Sequence, residues 1–177
     1  MQTKTELRKL MAAEKRKLSA EQCHAQAESV FSKLEQMVQF KQAKVVATYW
    51  SLADEIDTHS FVERWCKSKI ILLPIVVGND LVFRQFTGVQ NMQVGAFGIL
   101  EPVGGEYKQL SDVDLIVVPG VAFDSAGNRM GRGRGFYDRT LSAVNCFKVG
   151  VAYNCQHVDC VPTEPTDIAM DAVLFGE

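Results

Sequence analysis

Four short apolar runs constrain the fold of this chain more than any other feature. They are Lys44-Val-Val-Ala-Thr-Tyr-Trp50, Lys69-Ile-Ile-Leu-Leu-Pro-Ile-Val-Val77, Asp114-Leu-Ile-Val-Val-Pro-Gly-Val-Ala-Phe123 and Phe147-Lys-Val-Gly-Val-Ala-Tyr153. Each is rich in β-branched residues, and none alternates cleanly between apolar and polar. Such runs suit strands covered on both faces, as in a parallel sheet. Between the first two, residues 57–68 read as a helix capped by Asp57 or Thr58, with Phe61, Val62 and Trp65 as its buried stripe. Residues 135–146 read as another. The alternation implies an α/β fold with helices on both faces of the sheet.

Two more helices open the chain. Thr3-x-x-Glu6 and Ser19-x-x-Gln22 are capping-box patterns. Cys23, Ala27, Val30, Phe31, Leu34, Met37 and Val38 follow a 3.6-residue period and give the second helix one apolar face. The middle, from Gly78 to Tyr107, is turn-rich and is expected to contain a β-hairpin. The resulting expectation is a single α/β domain over residues 1–177. It has a mainly parallel central sheet with helices on both faces, an N-terminal helical pair and a β-hairpin insertion.

The charge balance limits the partners. With 19 basic and 21 acidic residues the net charge is −2, so a bound anion must be held locally rather than by a bulk field. No apolar run approaches the roughly 18 residues that span a bilayer, and no apolar core follows the N-terminus as in a secretory leader. The basic first helix could suggest a membrane surface, but Glu6 and Glu14 interrupt its charge. Cysteines 23, 66, 146, 155 and 160 are odd in number and widely spread, which suits reduced thiols in the cytoplasm. Cys155-Gln-His-Val-Asp-Cys160 lacks a fourth ligand at the usual zinc spacing, and His24 and His59 read as surface or capping residues.

The chemistry concentrates in Asp124-Ser-Ala-Gly-Asn-Arg-Met-Gly-Arg-Gly-Arg-Gly-Phe-Tyr-Asp-Arg139. This segment follows the run best suited to a central strand and feeds a helix. Glycines let backbone N–H groups approach a phosphate, a helix N-terminus adds partial positive charge, and arginines add bidentate bonds. The segment lacks the Lys-Ser/Thr of a Walker A loop and the third glycine of a dinucleotide fingerprint. Its Arg-Gly repeats could bind RNA, but they occur once, in an acidic chain. A phosphate cradle is the favoured reading. Asp138, one turn into the following helix, either serves a Mg²⁺ ion, complements the helix dipole or pairs with Arg139.

Residues 127–139, led in by Val118-Pro-Gly-Val-Ala-Phe-Asp124, resemble the signature of the 5-formyltetrahydrofolate cyclo-ligase (5,10-methenyltetrahydrofolate synthetase) family. Also similar are Lys4 and Arg8, Tyr49-Trp-Ser-Leu-Ala-Asp-Glu-Ile-Asp-Thr58, Leu73-Pro74, Phe83, Gly98-Ile-Leu-Glu-Pro102, Gln156 and Asp167. They fall in order along nearly the whole chain. Met130 and Phe136 stand where the family more often has Leu and Tyr.

The resemblance implies ATP- and Mg²⁺-dependent cyclisation of 5-formyltetrahydrofolate to 5,10-methenyltetrahydrofolate, with release of ADP and phosphate. The formyl oxygen takes the γ-phosphate to give an iminium phosphate, and the neighbouring nitrogen closes the ring. It assigns ATP to Lys4, Arg8, Arg129, Met130, Gly131, Arg132, Gly133, Arg134, Gly135, Phe136 and Tyr137. It assigns folate to Trp50, Glu55, Phe83 and residues 132–136, catalysis to Arg132 and Tyr137, and Mg²⁺ to Asp138 and Asp167 (or Asp171). It also implies a cytoplasmic monomer whose partners are the two substrates. Competing readings are a sugar-phosphate isomerase-like enzyme on a related frame and a non-catalytic folate- or RNA-binding module.

Overall fold

The computed structural model describes residues 3–177. Its helices are α1 (Lys4–Lys15), α2 (Ala20–Gln36), α3 (Val38–Gln42), α4 (His59–Trp65) and α5 (Phe136–Ala143). Its strands begin with β1 (Val45–Ala47), β2 (Ile70–Val77), β3 (Asp80–Gln85), β4 (Met92–Val94) and β5 (Leu100–Pro102). They continue with β6 (Leu115–Pro119), β7 (Ala122–Phe123), β8 (Arg129–Met130), β9 (Phe147–Ala152) and β10 (Ala172–Phe175).

The apolar runs supply the four inner strands of a six-stranded sheet in the order β10-β9-β6-β1-β2-β3. All neighbours are parallel except β3, which returns antiparallel to β2. Val46 of β1 lies opposite Ile71 of β2 on one side and Leu115 of β6 on the other. Alternate residues serve opposite layers, which explains why the runs are continuously apolar. Val46, Ile71, Leu73, Val117 and Val149 pack with Val30, Phe31, Leu34, Phe40 and Phe61 from α2, α3 and α4. Val45, Ala47, Leu72, Ile116 and Val118 pack with Phe83, and with Leu141 of α5, on the other face.

Both N-terminal capping boxes form, through Thr3 and Glu6 and through Ser19 and Gln22. Three local expectations need correction. The stripe of α2 does not reach Val38, because Met37 turns extended (φ −64°, ψ 138°) and Val38 is 60% exposed. The new turn, α3, buries Phe40 instead. Helix α5 stops at Ala143 rather than residue 146, where Val144 becomes extended on the way to β9. The middle of the chain holds two hairpins, not one. β2 and β3 meet across Gly78-Asn79, and β4 pairs with β5.

At the entry to α4, Thr58 occupies the capping position but donates its hydroxyl to the Tyr49 carbonyl (2.6 Å). Asp57 accepts the His59 N–H instead (2.9 Å). All five cysteines are free. No helix among the described residues is long and apolar enough to cross a membrane.

Candidate active site

Strand β1 has β2 on one side and β6 on the other, and the chain leaves the two strands in opposite directions. This is a topological switch point, where open α/β sheets form a crevice beyond the strands' carboxyl ends. A cavity of about 1110 Å³ lies there, walled by Tyr49 and Trp50 after β1, by Pro119 at the end of β6 and by Gly120 beyond it. The run 114–123 bends at Gly120, where a Cβ would come within 2.5 Å of the Phe123 ring. Gln156, buried below, donates to the Gly120 and Val121 carbonyls at 2.8 and 2.9 Å and fixes that bend.

Helix α1 covers one end of the crevice. Leu7 and Met11, one turn apart, pack with Val121, Ala122, Met130 and Val161. That apolar contact brings Lys4 and Arg8 to the cavity wall. Arg8 Nε donates to the Gly131 carbonyl at 3.0 Å. The Gly/Arg segment starts as a strand rather than a loop, since Arg129 and Met130 pair with β7. Met130 is 2% exposed and its side chain belongs to the α1 contact.

The loop proper runs from Gly131 to Gly135. Gly133 (φ +104°) and Gly135 (φ +68°) occupy the left-handed region that favours glycine. Gly135 caps α5 without any side-chain bond to its first amides, so the helix opens on the cavity wall with its partial positive charge uncapped.

Six cations and five carboxylates line the cavity. Arg129 has a side chain 3% exposed, donates to the Pro119 carbonyl (3.2 Å) and to both oxygens of Asp138 (3.3 Å), and leaves its buried Nε without a partner. An orphaned guanidinium N–H is costly unless a ligand meets it. Asp138 also accepts the Ile168 N–H at 3.4 Å. Its partner is thus Arg129 and not Arg139, which instead donates to the carbonyls of Arg134 and Asn79 and faces Asp80.

Lys4 Nζ lies 2.9 Å from Asp167 and 3.5 Å from Glu164. Burial alone would raise the Asp167 carboxyl, but bonds from Lys4 and the Glu164 N–H outweigh it and hold it below the usual carboxylate range. Asp171 lies apart, accepting the Lys148 N–H at 2.7 Å at the start of β10. Among the described residues no group of three or more His, Cys, Asp or Glu is placed to hold a metal. Residues 155–160 form no such cluster, and His157 pairs with Ser125 at 3.0 Å.

The same cavity carries apolar residues. Trp50, Leu81, Phe97, Ile99 and Phe136 line it, and Trp50 stacks on His59 with ring centroids 3.9 Å apart. Glu55 reaches the cavity from the turn after β1. Its carboxylate is 12% exposed and accepts from Leu52 N–H (2.9 Å) and Arg132 (3.1 Å). Burial and the nearby Glu55 charge push the Tyr137 hydroxyl well above its ordinary value, while Arg129, whose guanidinium lies 5.4 Å from the ring centre, works against that shift. Arg134 lies over the Phe97 ring at 4.6 Å.

Of the sequence-derived site residues, Phe83 is the one the fold keeps out of the cavity. Its ring is 1% exposed in the layer between the sheet and α5. Phe83 shares a face of the hairpin with its partner Pro74 and with Leu81, both of which line the cavity, but its own ring is enclosed by the α5 layer. Residues that sequence reasoning did not single out also converge here. Asp54 binds Arg132 at 2.7 Å, and Glu101, 9% exposed, lines the wall. The tandem acids Asp54-Glu55 were the available signal for the first. Asp124, 4% exposed, accepts from the N–H groups of Ala126, Asn128 and Val161 and from the Asn128 amide, which fixes the turn before β8.

Comparison with known proteins shows the family of the chain. The family model described as the 5-formyltetrahydrofolate cyclo-ligase family matches residues 1–176. A 5-formyltetrahydrofolate cyclo-ligase of Haemophilus influenzae is 35% identical over 184 residues, covering 99% of this chain and 96% of that protein. The Escherichia coli K12 protein of the same description is 35% identical over 141 residues, covering 75% and 78%. The solved 5,10-methenyltetrahydrofolate synthetase of Aquifex aeolicus superposes with a TM-score of 0.88 at 41% identity, covering 97% of this chain and 89% of that one. A synthetase from Mycoplasma pneumoniae shares the fold at 21% identity, with a TM-score of 0.78 and 98% coverage of each. The chain belongs to the 5-formyltetrahydrofolate cyclo-ligase family.

Proposed function

We propose that this protein closes the ring of 5-formyltetrahydrofolate to 5,10-methenyltetrahydrofolate at the switch-point cavity, driven by ATP. One observation carries the reading: a single cavity is lined both by glycine, lysine and arginine residues and by apolar and aromatic ones. Its volume of about 1110 Å³ exceeds the usual range for one drug-sized ligand, which suits two substrates side by side.

Phosphoryl transfer needs positioning and charge neutralisation more than a protein nucleophile. Lys4, Arg8, Arg129, Arg132 and Arg134, with the amides of 131–137 and the N-terminus of α5, are suited to hold the triphosphate. Arg132 is the group best placed to follow charge onto the transferring phosphoryl, since it extends from the Gly/Arg loop to Glu55. Tyr137, kept protonated by burial, can donate a hydrogen bond there but is not a base. Glu55 is suited to the paired N–H donors of a pterin edge, and Trp50 and Phe136 to its ring faces. The formyl oxygen attacks the γ-phosphorus and ADP leaves. The neighbouring nitrogen then attacks the iminium carbon, gives up its proton to the phosphate group, and phosphate departs.

Asp138 and Asp167 share one wall and are joined through the 167–168 backbone. Two carboxylates without a third fit Mg²⁺, which takes its remaining ligands from phosphate oxygens and water. Bound there, the ion would neutralise part of the triphosphate charge.

The test is a cuvette assay with purified protein, Mg-ATP and 5-formyltetrahydrofolate. Near-ultraviolet absorbance of the methenyl product should grow in step with ADP release. Sugar phosphates should give no isomerisation. No absorbance growth sinks the reading.

A further inference from the structure

The guanidinium of Arg132 is shared between two carboxylates. Its Nη2 donates to Asp54 Oδ1 at 2.7 Å and to Glu55 Oε1 at 3.1 Å. Asp54 in turn accepts from Lys15 of α1 twice, through Oδ2 at 2.7 Å and through its backbone carbonyl at 2.8 Å. Burial alone would raise the Asp54 carboxyl, but the bonds from Arg132 and Lys15 outweigh it and hold it below the usual range. The Lys15 side chain is 11% exposed, whereas those of Asp54 and Arg132 are about half exposed. The α1 end of this chain of charges is therefore fixed, and the Arg132 end is free to leave.

Building on the function proposed above, we infer that the Arg132–Glu55 pair couples the nucleotide and folate subsites, and that Asp54 is a positioning residue that holds Arg132 beside Glu55 in the free protein. A cation suited to phosphate and a carboxylate suited to a pterin edge are each other's partners. A phosphate oxygen that takes Arg132 leaves Glu55 open to the N–H donors of a pterin edge. A pterin edge that takes Glu55 removes one of the two groups retaining Arg132. Each ligand breaks a contact that the other would otherwise have to break, so each must raise the other's affinity by the same factor. The contacts are partly exposed and screened, which limits the coupling to about fivefold rather than a hundredfold. Lys15 stays on Asp54 throughout and keeps the latch in place for Arg132 to return.

Calorimetric titration of a non-hydrolysable ATP analogue with Mg²⁺, with and without saturating 5-formyltetrahydrofolate, tests this on the wild type and on Asp54→Asn. The wild type should bind the analogue about fivefold more tightly when folate is present, and folate about fivefold more tightly when the analogue is present. Asp54→Asn should bind the analogue alone about threefold more tightly than wild type, because Glu55 is then the one charged group holding Arg132. Its response to folate should persist. Equal dissociation constants with and without folate overturn the inference, as does an Asp54→Asn protein that binds the analogue no more tightly than wild type. A wild type that binds no analogue at all contradicts the ATP-dependent function itself, and the inference with it; binding without coupling contradicts the inference alone.

Discussion

Lys4 and Asp167 stand 163 residues apart in sequence, and their Nζ and Oδ2 atoms lie 2.9 Å apart on the cavity wall. The pair ties the first turn of α1 to the loop before β10, so both ends of the chain contribute to one site. Its pH dependence has a definite sign. The folded Asp167 carboxyl titrates below its unfolded value. The stabilisation is therefore full above about pH 4 and lost as pH falls through the folded value. Asp167→Asn should flatten the acid limb of a stability-versus-pH curve measured by urea unfolding. An unchanged limb would show that the pair does not couple to folding.

Arg132 is half exposed, so removing it should cost less than about 1 kcal/mol of stability. If it neutralises charge on the transferring phosphoryl, Arg132→Ala should lower kcat/KM by about 100- to 1000-fold. Arg132→Lys should recover little, because an ammonium cannot reproduce the planar fork. Steady-state kinetics beside thermal melts separates the two effects. A large fall in melting temperature with intact kinetics would assign Arg132 a structural role.

Phe83 and Trp50 should behave oppositely. Phe83→Ala leaves a void in a layer where the ring is 1% exposed, at a cost of about 3–5 kcal/mol. The milder Phe83→Leu should leave the KM for folate unchanged. Trp50 lines the cavity, so its fluorescence should change when folate binds, read in a Trp65→Phe background that leaves Trp50 as the remaining tryptophan. Folate titration without any change in that signal would remove Trp50 from the substrate's surroundings.

Gly133 tests the cradle. At φ +104° a side chain is strained, and its Cβ would sit 3.4 Å from the Arg8 guanidinium. Gly133→Ala should cost about 1–3 kcal/mol and raise the KM for ATP. A lowered stability with unchanged KM would mean that the loop's shape matters to folding alone.

The doubly covered sheet was legible because its signal is local: Val- and Ile-rich runs without polar alternation announce strands buried on both faces. The helix starts at Thr3 and Ser19 were legible for the same reason, since a capping box spans four residues. What sequence could not give was pairing across distance. The pattern around Phe83 gives no sign that α5 would enclose its ring while Leu81, on the same face of β3, lines the cavity. Asp138 was open between Mg²⁺, the dipole and Arg139, and its partner proved to be Arg129, brought there by the β7–β8 hairpin. Asp54 had a visible neighbour in Glu55 but no local hint of Lys15 or Arg132.

The central claim is that the formyl oxygen is phosphorylated by ATP in this cavity. Turnover of 5-formyltetrahydrofolate labelled with ¹⁸O in the formyl group tests it most directly, with the released phosphate analysed by mass spectrometry. The mechanism predicts one ¹⁸O in each phosphate, dependent on Mg-ATP and abolished by chelation of the metal. Phosphate that carries only ATP- or water-derived oxygen while the methenyl product accumulates would contradict it.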